Sequence, residues 1–153
     1  MSINREEIWA ALLARLKTAL ANKFKIISRR HVMPPDLAPA QQPALFLCQT
    51  GELRSQLPER TDGTLKLEGV LIVYLTDTNA NPVPGREGKL AVTELNDLLA
   101  TIEDAIAPDV EGELQTLGDL CYRCWIEGNT EMEAGIIGQQ LVAVVPINIV
   151  IPF

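Results

Sequence analysis

Two stretches of this chain carry a single apolar stripe at helical spacing, and most of the remaining apolar residues run or alternate as strands do. The first stretch is 3–22, where Ile8, Trp9, Leu12, Leu13, Leu16 and Leu20 recur along one side. Asn4 is a natural N-cap and Glu7 stands three residues on, the spacing of a capping box, with Ile3 and Ile8 at the flanking staple positions. Arg15, Lys17 and Lys23 lie toward the C-terminal half, where the helix dipole favours cations. The second stretch is 94–107, with Leu95, Leu98, Leu99, Ile102 and Ile106 as its stripe, Thr93 as its cap and Pro108 as its stop. Two single-striped helices are too few to cover both faces of a sheet. The expected fold is therefore α+β: one mostly antiparallel sheet, both helices on one face, the other face free for solvent or a partner.

The strands of that sheet are read from alternation and β-branched runs. "FKIISRRHV" (24–32), "ALFLCQT" (44–50), "LEGVLIVYLTD" (67–77), "LCYRCWIEGN" (120–129) and 140–153 all have strand character. "MPPDLAPAQQP" holds four prolines in eleven residues and excludes both a helix and a central strand. Residues 51–66 are polar with a D-G turn signal and read as a long loop or a protruding hairpin. Residues 78–92, rich in Asn, Pro and Gly, read as a second long connection. Gly135 and Gly138 mark a turn.

The whole chain, 1–153, is the size of one domain and can bury roughly 70% of its unfolded surface, so neither a disulfide nor a metal is required for folding. Cys48, Cys121 and Cys124 are an odd number, which speaks against a secreted disulfide framework. The first twenty residues are charged throughout, unlike a secretory segment. The longest apolar run, 141–153, is short for a membrane span and is interrupted by Pro146 and Asn148. A soluble protein made in a reducing compartment, with no membrane partner, is the expectation.

The net charge of −7 is unevenly placed. Residues 1–30 hold seven basic and two acidic groups, a net of +5, and residues 31–153 hold six basic and eighteen acidic groups, a net of −12. Such a split can align copies of a chain head to tail, or it can simply be interspersed over the folded surface.

Chemistry-bearing motifs are sparse. In a strand, Cys121 and Cys124 of "CYRCWIEGN" would point to opposite faces and could neither share a metal nor close a disulfide without a bend. A structural zinc would need four ligands, and Cys48 and His31 lack ligand spacing. A redox C-x-x-C would open a helix, whereas Trp-Ile-Glu-Gly follows here. Buried structural thiols are the expectation. His31, the sole histidine, has no neighbouring Ser, Cys or acid in sequence. "PGREGK" has the wrong spacing for a phosphate loop and lacks its Ser or Thr. An acidic chain with 5% aromatics is a poor match for nucleic-acid binding. No catalytic, cofactor or metal site is expected.

The order of segments carries a resemblance. "NREEIWAALLARL", "QQPALFLCQTGE", "TELNDLLATIEDAIAP", "LQTLGDLCYRCWIEGN" and "GIIGQQLVAVVPINIVI" follow one another across nearly the whole chain. In this order the chain resembles small neck and tail proteins of tailed bacteriophages, most nearly the tail terminator (tail completion) group. The resemblance implies a virion part without catalysis, made in the host bacterial cytoplasm. Members of that group are α+β domains that form hexameric rings. The ring caps the tail tube, ends its polymerisation and meets the head-side connector. DNA would pass through such a ring without sequence-specific binding, and an acidic lumen would keep the passage slippery. A head-side stopper or adaptor is the nearest alternative, and a small cytoplasmic enzyme or ligand-binding domain the more distant one.

Candidate contact residues follow from physics rather than from the resemblance. Arg29, Arg30 and His31 form a basic strand end. Leu53, Arg54, Leu57, Asn81, Val83 and Arg86 stand in the two long connections, where they either meet a partner or remain solvated turns. Trp125 and Glu127 lie in the stretch most like the tail proteins, with a core place for Trp125 weighed above a contact role.

Overall fold

The computed structural model describes residues 2–77, 90–134 and 139–153. Helix α1 spans Arg5–Leu20, and helix α2 spans Ala91–Ile106. The strands are β1 (Ile26–Ser28), β2 (Ala44–Ser55), β3 (Thr64–Thr76), β4 (Arg123–Ile126), β5 (Glu131–Ala134) and β6 (Gln140–Pro152). They form one sheet in the order β1-β2-β3-β6-β4, with β5 beside β4 on the same flank of β6. Every pairing is antiparallel except β1 with β2. The fold is α+β, and the two helices share one face of the sheet.

α1 begins where the sequence places it. Asn4 Oδ1 accepts from the Glu7 backbone N–H at 3.1 Å, so an otherwise unpartnered amide of the first turn is satisfied. Ile8, Trp9, Leu12, Leu16 and Leu20 are buried, whereas Leu13 is only partly so. Burying each large apolar side chain contributes about 1.5–3 kcal/mol. α2 starts earlier than expected. Leu90, not Thr93, is its N-cap residue, and no side chain caps it. Its other end is held from outside. Arg15 of α1 donates from Nε to the Ala105 carbonyl at 2.6 Å, and from its terminal nitrogen to the Ala107 carbonyl at 3.2 Å and to Asp109 at 2.7 Å. Gln115 Nε2 donates to the same Ala107 carbonyl at 2.8 Å. A cation on the last carbonyls of a helix also opposes the negative end of its dipole.

The helix-side face of the sheet is a continuous apolar layer: Leu45 and Leu47 from β2, Leu65, Leu67, Leu71 and Val73 from β3, and the alternating Leu141 to Ile151 series of β6. Gly69 falls in the middle of it. A Cβ there would lie 2.8 Å from Trp9 Cη2 and 2.9 Å from the Cys48 carbonyl oxygen. Glycine thus lets the indole of α1 lie against the strand.

Several expectations are corrected. The strand read over 24–32 is only Ile26–Ser28, and its parallel pairing with β2 covers three residues. For the segment 51–66 the hairpin alternative holds and the long loop does not: β2 and β3 run on in register to Ser55 and Thr64, past a bulge between Gln49 and Gly51. The second sheet face is not wholly free, because Leu37 and Val32 of the proline segment cover Ala44, Phe46 and Tyr74 at one end. Gln42 and Gln140 fasten that segment to β6 through reciprocal amide bonds of 3.1 and 3.0 Å. The sequence marks no strand at β5, only a turn at Gly135 and Gly138, and those two glycines lie outside the described residues. β5 pairs with Leu141–Val144, while β4 pairs with Ile147–Val150. Pro146 falls in the gap between them, where the absence of an N–H interrupts no ladder on that flank.

Candidate association surface

The side of the sheet away from the helices is where side chains are left without full cover. Below the proline segment it carries Val70, Val144, Pro146 and Val150, all half-buried, with Lys66, Glu68 and Asn148 between them. Trp125 joins this face from β4, directly opposite Asn148. Its indole Nε1 donates to Glu127 at 2.6 Å, and the Arg123 guanidinium lies 4.9 Å from the ring centre. Trp125 is therefore not the core residue the sequence favours. Strand alternation explains why: Cys124 and Ile126 take the helix-side positions and leave Trp125 on the other face.

Under the proline segment the same face holds an aromatic cluster. His31 Nε2 and the Tyr74 hydroxyl are 2.7 Å apart. The imidazole stands edge-on to Phe46 at 5.4 Å and stacks near Tyr74 at 5.8 Å. Tyr74 is 5% exposed, so its hydroxyl needs this partner. Burial raises the Tyr74 phenol above its ordinary pKa. The cluster clamps the start of the proline segment to β2 and β3. Tyr74 was missed by sequence reasoning, although its alternation with Ile72 places it on this face.

The basic strand end is partly spent within the chain. Arg29 grips Glu6 of α1 with two bonds of 2.5 and 3.2 Å, and that guanidinium holds the Glu6 carboxyl below its usual range. Arg30 is exposed, and its backbone N–H donates to Ser28 Oγ at 2.9 Å.

The hairpin residues are spread rather than gathered. Leu53 and Leu57 are 57% and 59% exposed, Leu53 on β2 and Leu57 in the turn beyond it. Arg54 lies 4.5 Å over the Phe153 ring, which ties the hairpin to the chain's last residue. On the helix side, Glu52 accepts two bonds from Arg5 at 2.6 and 2.8 Å, and this contact pulls the Glu52 carboxyl below its usual range. Asn81, Val83 and Arg86 lie outside the described residues.

The two thiols of the C-x-x-C do not face apart. Cys121 precedes β4 rather than belonging to it, and both Cys121 and Cys124 turn into the helix-side core. Burial pushes the Cys121 thiol up to about 11 and the Cys124 thiol up to about 12, so both are protonated and weakly nucleophilic near neutral pH. Among the described residues, no group of three or more His, Cys, Asp and Glu side chains is placed to hold a metal ion. No helix among them is long and apolar enough to cross a membrane. An open groove of about 570 Å³ lies along the proline segment, lined by Asp36, Gln42 and Gln140 among others.

No model of a known protein family matches the chain, and no curated protein does either.

Proposed function

We propose that this chain is a structural ring protein of a phage neck or tail, acting as a tail terminator. Copies assemble into a ring, the hexamer that the resemblance implies. The ring seats on the head-proximal end of the tail tube, stops its polymerisation and presents its other rim to the head-tail connector or stopper protein. On this reading the chain is no enzyme, needs no cofactor and resides in the virion.

One observation supports this reading above the others. The sheet is covered by helices on one side only, and the opposite side keeps a band of half-buried Val70, Val144, Pro146 and Val150 with Trp125 at its border. An antiparallel sheet of this kind leaves its second face to solvent or to a partner, and on the ring reading the tail tube or the connector is the partner this apolar band meets. The β2–β3 hairpin adds reach, since β2 is exposed from Gln49 to Ser55. Leu53 and Leu57 give it apolar points for the tube or the connector.

The test is direct. Tail tubes assembled from the tube protein encoded with this chain are mixed with the purified chain and imaged by negative stain. Added density at one tube end, with arrested elongation, supports terminator function. Bare, still-growing ends together with binding to the isolated connector would move the assignment to a stopper or adaptor.

A further inference from the structure

The sheet has two outer edges, and they are built differently. β1 forms one edge and β5 forms the other, and the two stand at the same height. Ser28, Phe46, Ile72, Val144 and Glu131 make one cross-sheet row. Two residues along, Ile26, Ala44, Tyr74, Val142 and Glu133 make another. Between them runs the row of Ile27, Leu45, Val73, Ala143 and Met132, which belongs to the helix side.

These rows match one edge to the other. The β1 edge is bordered by exposed Lys25 and Arg30. The β5 edge carries exposed Glu131 and Glu133. Among the described residues, none of these four charged side chains has an ion-pair partner within the chain. Between the two glutamates, Met132 is 55% exposed, an apolar side chain in the row of half-buried Ile27. Strand polarity is compatible as well. β1 is parallel to β2, and three antiparallel steps lead from β2 to β5, so β5 runs opposite to β1. A second copy in the same orientation thus offers its β5 to β1 as an antiparallel neighbour. No backbone hydrogen bond among the described residues occupies the outer side of either strand.

We infer that the β1 edge of one copy pairs with the β5 edge of the next, continuing the sheet from subunit to subunit. Met132 of one copy then meets Ile27 of its neighbour, flanked by the two glutamates against the basic border of Lys25 and Arg30. The contact is heterologous, with one patch meeting a different patch, so it repeats around an axis rather than stopping at a dimer. Main-chain bonding supplies attachment, and the charges supply register and direction. The inference rests on the ring reading for the identity of its partner, a second copy of this chain.

Two charge-reversed chains test it. One carries Lys25→Glu and Arg30→Glu, so both edges are acidic; the other carries Glu131→Lys and Glu133→Lys, so both are basic. All four positions are exposed, and thermal melts check that each variant is folded. Native mass spectrometry and sedimentation then follow assembly from micromolar to about 1 mM, the range of weak to moderate association. Each variant alone should need at least about tenfold more protein to assemble, because like charges now face one another. An equimolar mixture should recover assembly in alternating order, and so should the chain carrying all four changes. Reversed variants that assemble as the wild type does, a mixture no better than its parts, or a wild-type chain monomeric throughout would overturn the inference. The tube assay separates the two readings. Tubes capped equally well by both reversed variants leave the terminator reading standing and remove the edge pairing. Charge-dependent assembly without affinity for tubes does the reverse.

Discussion

The indole of Trp9 lies against the backbone of Gly69, so close that a methyl group on that glycine would stand 2.8 Å from the ring. Helix α1 is seated on β3 at this point, and both residues are needed for the seat. Gly69→Ala should destabilise the fold by about 1–3 kcal/mol, the usual penalty of overpacking. Denaturant melts of Gly69→Ala in the wild type and in a Trp9→Leu background check it. The penalty should shrink in the second background, because the colliding ring is gone. An equal penalty in both would place the strain on the Cys48 carbonyl instead.

Arg15 holds the end of α2. Its guanidinium meets two carbonyls and one carboxylate across the helix pair. Arg15→Ala should destabilise by about 1.5–3 kcal/mol, the range for hydrogen bonds to charged groups. Asp109→Ala should lose less than about 1 kcal/mol, since that carboxylate is 71% exposed and solvent screens the pair. Hydrogen exchange of the last turn of α2 should accelerate in the first variant and hardly at all in the second.

The proline segment hangs on Tyr74. Removing its hydroxyl in Tyr74→Phe leaves His31 without its 2.7 Å partner and should destabilise by about 0.5–1.5 kcal/mol. Limited proteolysis should then cut faster within 32–41 while the strands stay resistant. Unchanged cleavage would mean that Gln42 and Gln140 alone fasten the segment.

The buried thiols set a pH dependence. In the unfolded chain, Cys121 and Cys124 ionise near 9.0, but in the fold they hold their protons to about 11 and about 12. Above pH 9 the unfolded chain therefore binds fewer protons than the folded one, and stability falls as pH rises. The stabilisation from these protonated thiols is complete below pH 9 and drains away through pH 11–12. Melting temperatures from pH 8 to 11 should decline for the wild type and decline less for Cys124→Ala. Alkylation at pH 8 should be slow at both sites until the chain unfolds.

What could be read from the sequence divides along the range of the forces involved. α1, the long β3 and β6, and the one-sided helix layer follow from local pattern, because stripe and alternation are properties of neighbouring residues. The longer-range features do not. Nothing near Leu90 marks it as the start of α2, because no side chain caps it there. Cys121 turns inward because the chain bends before β4, a placement set by the bond from the Tyr122 N–H to Val150 at 2.9 Å. Arg29 reads in the sequence as part of a basic strand end for a partner, but Glu6, twenty-three residues away, meets it within the fold. The acidic edge at Glu131 and Glu133 has no signature in the sequence, because four residues are too few to show an alternating pattern and only pairing with β6 makes them a strand.

What this chain does to a growing tail tube decides whether it is a terminator. Electron microscopy of tubes elongating with and without the chain measures that outcome directly. A terminator leaves a ring-shaped cap at one end and tubes of arrested length. Tubes that lengthen unchanged, with bare ends and the chain left free in solution, would contradict the terminator reading.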